Sequence, residues 1–253
     1  MDIWYIFTLF SAFVVGAVMG SFSNVCIYRI PLQLSIIRPG SYCPTCKTPL
    51  TILDNIPLLS FVFLKRKCRH CQSNISWRYP AVELLTAIFY LLVFMRFDFH
   101  VAIIYTLLVT SLIIITFIDI DYKIIPNVIT IPAIPIGLVL SYFFLPHSII
   151  SALIGMLGGG GLLLLMAVIY PGGMGGGDIK MVAMLGAFLG WQKVFLTIFL
   201  GSLIGSVVGI AMIISKKGGR KTKIPFGPYL AAGAILSIFF GNAIIEYYVN
   251  FTF

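Results

Sequence analysis

Long apolar runs broken by short polar or Gly/Pro-rich stretches organise the chain. Setting the runs against the breakers predicts eight helices, at 4–28, 80–95, 100–118, 127–145, 148–170, 179–190, 194–214 and 227–248. A membrane span needs about 20 apolar residues, and of the eight runs 179–190 is short for one. The pattern predicts an all-α polytopic membrane protein of about eight transmembrane helices. The only sizeable non-membrane segment lies between the first two, giving a first helix at 1–31, a small polar domain at 32–79 and a membrane domain at 80–253. The first run starts behind Asp2, with no basic leader and no A-x-A site, so it is expected to be an anchor and not a cleaved signal.

Composition agrees: 60% of residues are hydrophobic, 10% are charged, and the mean hydropathy is +1.05. These values exclude an ordinary soluble domain. Charge adds orientation. With alternating loops, eight Lys/Arg from Arg29 to Arg78, Lys123, Lys180 and five from Lys216 to Lys223 fall on one side, leaving Arg96 and Lys193 on the other. The positive-inside rule makes the basic side cytoplasmic and puts both termini outside. Anionic lipid headgroups account for the net charge of +9, and no nucleic acid is required.

One polar stretch stands out against this background, Gly173-Met174-Gly175-Gly176-Gly177-Asp178-Ile179-Lys180. A carboxylate at membrane depth is expensive and is a functional candidate by default. Glycines around it let backbone approach a partner closely. In the predicted topology the helix ending in Phe117-Ile118-Asp119-Ile120-Asp121 reaches the same face. Positions i and i+2 point about 200° apart on a helix, so only one of these two acids can face Asp178. Asp119 adjoins the apolar run; Asp121 sits by Tyr122 and Lys123, where an interfacial charge is cheap.

The polar domain holds Cys43-Pro44-Thr45-Cys46 and Cys68-Arg69-His70-Cys71. Two C-x-x-C knuckles at this separation have the spacing of a four-thiolate zinc site, structural because no ligand position stays open. Two disulfides are the competing reading, disfavoured in a reducing cytoplasm. A loop of this size has little core, so metal would supply much of its folding free energy. Cys26, inside the first helix, reads as a buried small hydrophobe, and His70 as a surface residue.

Other features carry packing readings. Gly20 to Asn24 suits close helix contact, Arg29 marks the exit from the membrane, and Trp77 and Tyr79 belong to an interfacial aromatic belt. Glu83, one turn inside the second helix, is expected to pair with Arg78 or Arg29, or else to contact a ligand of the polar domain. Gly158 to Gly161 reads as close helix contact, and Pro225-Phe226-Gly227-Pro228-Tyr229 as the entry to the last helix. Asp2, Asp54, Asp98 and Glu246 fall near ends or in loops and carry no argument.

Two carboxylates held close share one proton, and such a pair can act as base and acid on one water. No H-E-x-x-H motif or Ser-His-Asp order is present, which leaves an aspartyl mechanism for a hydrolase. A proton- or cation-coupled transporter using Asp119 and Asp178, or a scaffold docking a partner through its cysteine domain, are the readings from other classes.

The motifs together resemble the type IV prepilin peptidases, GxGD-type aspartyl proteases that are leader peptidase/N-methyltransferases of the bacterial cytoplasmic (inner) membrane. The resemblance runs through Gly20 to Pro31, the paired knuckles, Asp54 to Ser60, Arg78 to Leu84, Asp119 to Asn127, Gly175 to Lys180 and Pro225 to Tyr229. It implies Asp119 and Asp178 as the catalytic pair, with Gly175 and Gly177 in the catalytic loop. It further implies prepilin or pseudopilin substrates cut after a glycine at the cytoplasmic face, and N-methylation of the new amino terminus with S-adenosylmethionine. Zinc on Cys43, Cys46, Cys68 and Cys71 would support the cytoplasmic domain and not hydrolysis.

Overall fold

The computed structural model describes residues 3–215 and 225–252; Asp2 and the basic stretch Lys216–Lys223 lie outside them. Among the described residues eight α-helices follow one another: α1 (Ile3–Arg29), α2 (Leu59–Phe63), α3 (Arg78–Arg96), α4 (Phe99–Tyr122), α5 (Asn127–Phe143), α6 (Ile149–Ile169), α7 (Gly176–Ile214) and α8 (Gly227–Thr252). Among the described residues α1, α3, α4, α6, α7 and α8 are long and apolar enough to cross a membrane. The apolar α5 is shorter, at 17 residues, and contains Pro132 and Pro135. The chain divides within α4 into two units, Met1–Ile114 and Ile115–Phe253.

In the first unit α1 lies along α3. A β-carbon on Gly20 would come within 2.6 Å of Glu83 Cα, and one on Gly16 within 2.8 Å of Ala87 Cα, so only glycine permits this approach. Asn24 Nδ2 donates to the Tyr79 carbonyl at 3.1 Å. Arg29 is more than an exit marker. It is buried, and its guanidinium donates to the carbonyls of Ser35, Pro39 and Gly40, pinning the start of the polar domain to the end of α1. It is therefore not the partner of Glu83, whose Oε2 accepts the Leu58 N–H at 2.8 Å.

In the second unit α7 is the hub, packed on α5, α6 and α8. Backbone meets backbone where Gly155 of α6 faces Gly186, and the buried Thr197 hydroxyl donates to Ser237 of α8 at 3.0 Å. A straight helix of 39 residues would be about 58 Å long, nearly twice a bilayer's hydrocarbon core. The helix instead breaks at Gly190, where φ is 76° and ψ 173°, a conformation open to glycine. The separate helices expected at 179–190 and 194–214 thus meet directly at Gly190, with no linker, because Trp191 to Lys193 already belong to the second segment. The Ala187 carbonyl and Trp191 N–H, which an unbroken turn would pair, both find serines. Ser141 Oγ donates to the carbonyl at 2.6 Å, and Ser151 Oγ accepts the N–H at 3.3 Å.

Candidate active site and metal centre

Asp119 lies in the last turn of α4 and Asp178 in the first turn of α7, and both are buried. Asp121, two residues on, is exposed. Each buried acid accepts one backbone N–H from a glycine at the start of a helix. Gly227, the first residue of α8, donates to Asp119 Oδ2 at 2.9 Å. Gly175, the residue before α7, donates to Asp178 Oδ2 at 3.2 Å, and the Asp178 N–H donates back to the Gly175 carbonyl at 3.1 Å. The acid at the third position thus closes the first turn as the acid of a capping box does, with the Gly175 backbone carbonyl taking the place of a Ser or Thr side chain. The two carboxylates lie within electrostatic reach of each other.

Gly177 has its own reason. A β-carbon there would come 2.8 Å from Ile125 Cβ, so glycine lets the first turn of α7 settle on the α4–α5 connection. Lys180 Nζ donates to Asn127 Oδ1 at 2.9 Å and ties the same turn to the start of α5. The sequence marks Gly227 only as part of a helix entry; nothing local in Pro225 to Tyr229 names its partner, which lies in α4.

In the first unit the four cysteines converge. Cys43, Cys46, Cys68 and Cys71 present sulfurs within 4.8 Å of one another, with Cys43 Sγ to Cys71 Sγ 3.8 Å and Cys46 Sγ to Cys68 Sγ 4.0 Å. A tetrahedral ion with Zn–S bonds near 2.3 Å requires sulfurs about 3.8 Å apart, so the donor set and its spacing fit a metal ion. The knuckles are copies of one another. Lys47 N–H bonds the Cys43 carbonyl as Gln72 N–H bonds the Cys68 carbonyl, and bridges at Tyr42–Pro49 and Lys67–Asn74 close both. The Cys46 backbone N–H draws the Cys43 thiol down to about 6, against burial, and the Ser73 hydroxyl lowers Cys71. Cys68 is raised, the Cys71 backbone N–H being outweighed by burial and by the Cys43 and Cys71 sulfurs. Thiolate is the form a metal binds.

Asp54, a loop acid by its local sequence, clamps this four-cysteine cluster. Its Oδ1 accepts Nε and Nη2 of Arg69, both at 2.8 Å, and its Oδ2 accepts the Thr51 hydroxyl at 2.7 Å. Arg69 stands inside the second knuckle, so the pair joins that knuckle to the turn at Leu53–Asn55.

Comparison with known proteins matches residues 14–97 to the bacterial peptidase A24 N-terminal domain and residues 106–210 to the type IV leader peptidase family. Prepilin leader peptidase/N-methyltransferases are similar over most of their length. That of Aeromonas salmonicida (strain A449) is 36% identical, covering 98% of this chain and 95% of its own. That of Bacillus subtilis (strain 168) is 38% identical, with 94% and 96% covered. That of Pseudomonas aeruginosa is 34% identical, with 93% and 91% covered. No solved structure matches the chain. On these matches, and with multiple apolar helices of spanning length, the chain belongs to the type IV leader peptidase family of multi-pass inner-membrane proteins.

Proposed function

We propose that the chain is a membrane aspartyl endopeptidase that removes the leader of type IV prepilins or pseudopilins after a glycine and methylates the new amino terminus. The observation that carries the reading is the pair of buried acids, Asp119 and Asp178, each held by a glycine N–H at a helix start in a chain of this family. One carboxylate takes a proton from water as the water oxygen bonds to the scissile carbonyl carbon. The other donates to the developing oxyanion, and the proton passes to the leaving amine as the C–N bond breaks. Gly175 and Gly177 serve as the loop that lets Asp178 approach.

Charge asymmetry supports a cytoplasmic active site with both termini outside, and lipid as a constant partner. The division into an anchor at 1–31, a metal domain at 32–79 and a peptidase domain at 80–253 belongs to the same reading. The four sulfurs suit zinc, which would supply folding free energy to the cysteine domain. S-adenosylmethionine is the methyl donor such an activity needs. The chain carries no G-x-G-x-x-G fingerprint, the residues single out no donor site, and no step is assigned through it.

The test is cleavage of a prepilin by purified protein in detergent. Asp119→Asn and Asp178→Asn should each lose activity by on the order of 10³-fold or more while Asp121→Asn stays near wild type. Loss in Asp121→Asn instead of Asp119→Asn would move the dyad by two residues, and full cleavage by all three variants would end the aspartyl reading.

A further inference from the structure

The polar segment between α1 and α3 carries an apolar edge exposed to its surroundings. Ile52 is 88% exposed and Phe63 79%, and Leu53, Leu59, Val62 and Trp77 are exposed beside them. The five-residue α2 buries none of its side chains, packs on the turn at Leu53–Asn55, and sets the Phe61 ring 4.9 Å from that of Trp77. Apolar surface gathered in one place marks a contact with a protein or a membrane.

Charge and position choose between them. The Arg66 guanidinium stands 5.6 Å from the Trp77 ring centroid, with Lys65 and Lys67 on either side of it in the chain. Asp54, the sole acid between residues 32 and 79, is engaged by Arg69. The rim is therefore positive, which suits an anionic surface and repels a basic peptide. Trp77 immediately precedes Arg78, where the spanning helix α3 begins, so the edge starts at the bilayer surface. A basic rim around an apolar face is the chemistry of an interfacial anchor.

We propose that this edge docks the cysteine domain onto its own membrane. Ile52, Leu59, Val62 and Phe63 enter the headgroup–acyl boundary, and Lys65, Arg66 and Lys67 lie on the phosphates of anionic lipids. The docking is independent of the peptidase reaction.

The test places a fluorophore on the edge. In full-length protein with Trp4, Trp77 and Trp191 changed to Phe, Phe63→Trp is the sole indole. It is reconstituted in nanodiscs of equal parts phosphatidylglycerol and phosphatidylcholine, brominated high or low on the acyl chain. Bromine high on the chain should quench the indole about twofold more than bromine low on it, as expected for the boundary depth. Ile52→Trp in the same background should behave alike and guards against a local fault at position 63. Lys65→Gln, Arg66→Gln and Lys67→Gln combined should bring the quenching down to its level in pure phosphatidylcholine. An indole untouched by lipid bromine but open to acrylamide would overturn the proposal. So would shielding that develops only when prepilin is added, which would give the edge to the substrate, and so would quenching indifferent to the three basic side chains.

Discussion

Gly227 donates its backbone N–H to Asp119 Oδ2 across 2.9 Å, from 108 residues further along the chain. The bond ties the start of α8 to the end of α4. It also leaves no room, because a β-carbon on Gly227 would lie 2.7 Å from the same oxygen. Gly227→Ala keeps the N–H and forces the carboxylate aside. A reacting group misplaced by about 1 Å costs on the order of 10²-fold in rate, so prepilin cleavage should fall by about that much with helical content and monodispersity unchanged. Cleavage at the wild-type rate would make the bond incidental.

Gly177→Ala tests the other acid through its approach. The added β-carbon would meet Ile125 Cβ at 2.8 Å, lifting the first turn of α7 and Asp178 with it. A loss of about 10²-fold is again expected. Here Ile125→Ala should restore part of the activity, because it removes most of the obstructing side chain. Absence of rescue in the double variant would mean that the glycine serves a different contact.

What the sequence made legible, and what it hid, divides by range. The helices follow from apolar runs, the knuckles from C-x-x-C spacing, and the deeper placement of Asp119 from its apolar neighbours; all of these are local signals. The Gly227 bond, the Arg29 cage of carbonyls, the Leu58 N–H on Glu83 and the Asp54–Arg69 clamp are contacts made by the folded chain. Each uses a residue with a satisfactory local reading, such as loop acid or interfacial arginine, and local pattern does not choose between readings. The break in α7 was half visible: Gly190 stood at the right place, but helical propensity beyond it does not reveal that the two segments abut.

The four-cysteine cluster carries a strain that can be relieved. Lys47 and Gln72 follow the second cysteine of each knuckle with φ of 59° and 57°, in the left-handed region that costs a side chain about 1–2 kcal/mol. Glycine recovers that cost, less the freedom it gains in the unfolded loop. Lys47→Gly and Gln72→Gly should each stabilise the domain by about 0.5–1 kcal/mol, read as slower loss of metal to a chelator. Faster loss in both would mean that the two side chains make contacts worth more than the strain.

Asp54 gives the same domain a pH signature. The Thr51 hydroxyl, and after it the Arg69 guanidinium, hold its carboxyl below the usual carboxylate range. A depressed folded-state pKa stabilises above the unfolded value of about 3.9 and is lost as pH falls through the folded value. At neutral pH Asp54→Asn should weaken the domain by about 1 kcal/mol, a modest figure because Arg69 is half exposed and solvent screens the pair. The gap between wild type and variant in hydrogen-exchange protection at residues 51–54 should close below about pH 4. A gap unchanged across that window would assign the effect to packing and not to charge.

The break at Gly190 should depend unequally on its two serines. Ser141 is buried, and its hydroxyl both donates to the Ala187 carbonyl at 2.6 Å and meets His147 Nε2 at 3.1 Å. Ser141→Ala leaves that carbonyl without its side-chain donor in a dry environment, a loss of about 1–3 kcal/mol. Ser151 is less enclosed, and its bond from the Trp191 N–H is longer, at 3.3 Å. Water can reach that N–H more readily, so Ser151→Ala should cost less, about 0.5–1.5 kcal/mol. Thermal unfolding in detergent measures the order directly. Equal costs, or a larger one for Ser151→Ala, would mean that the α7 break is held from the α6 side and not by Ser141 of α5.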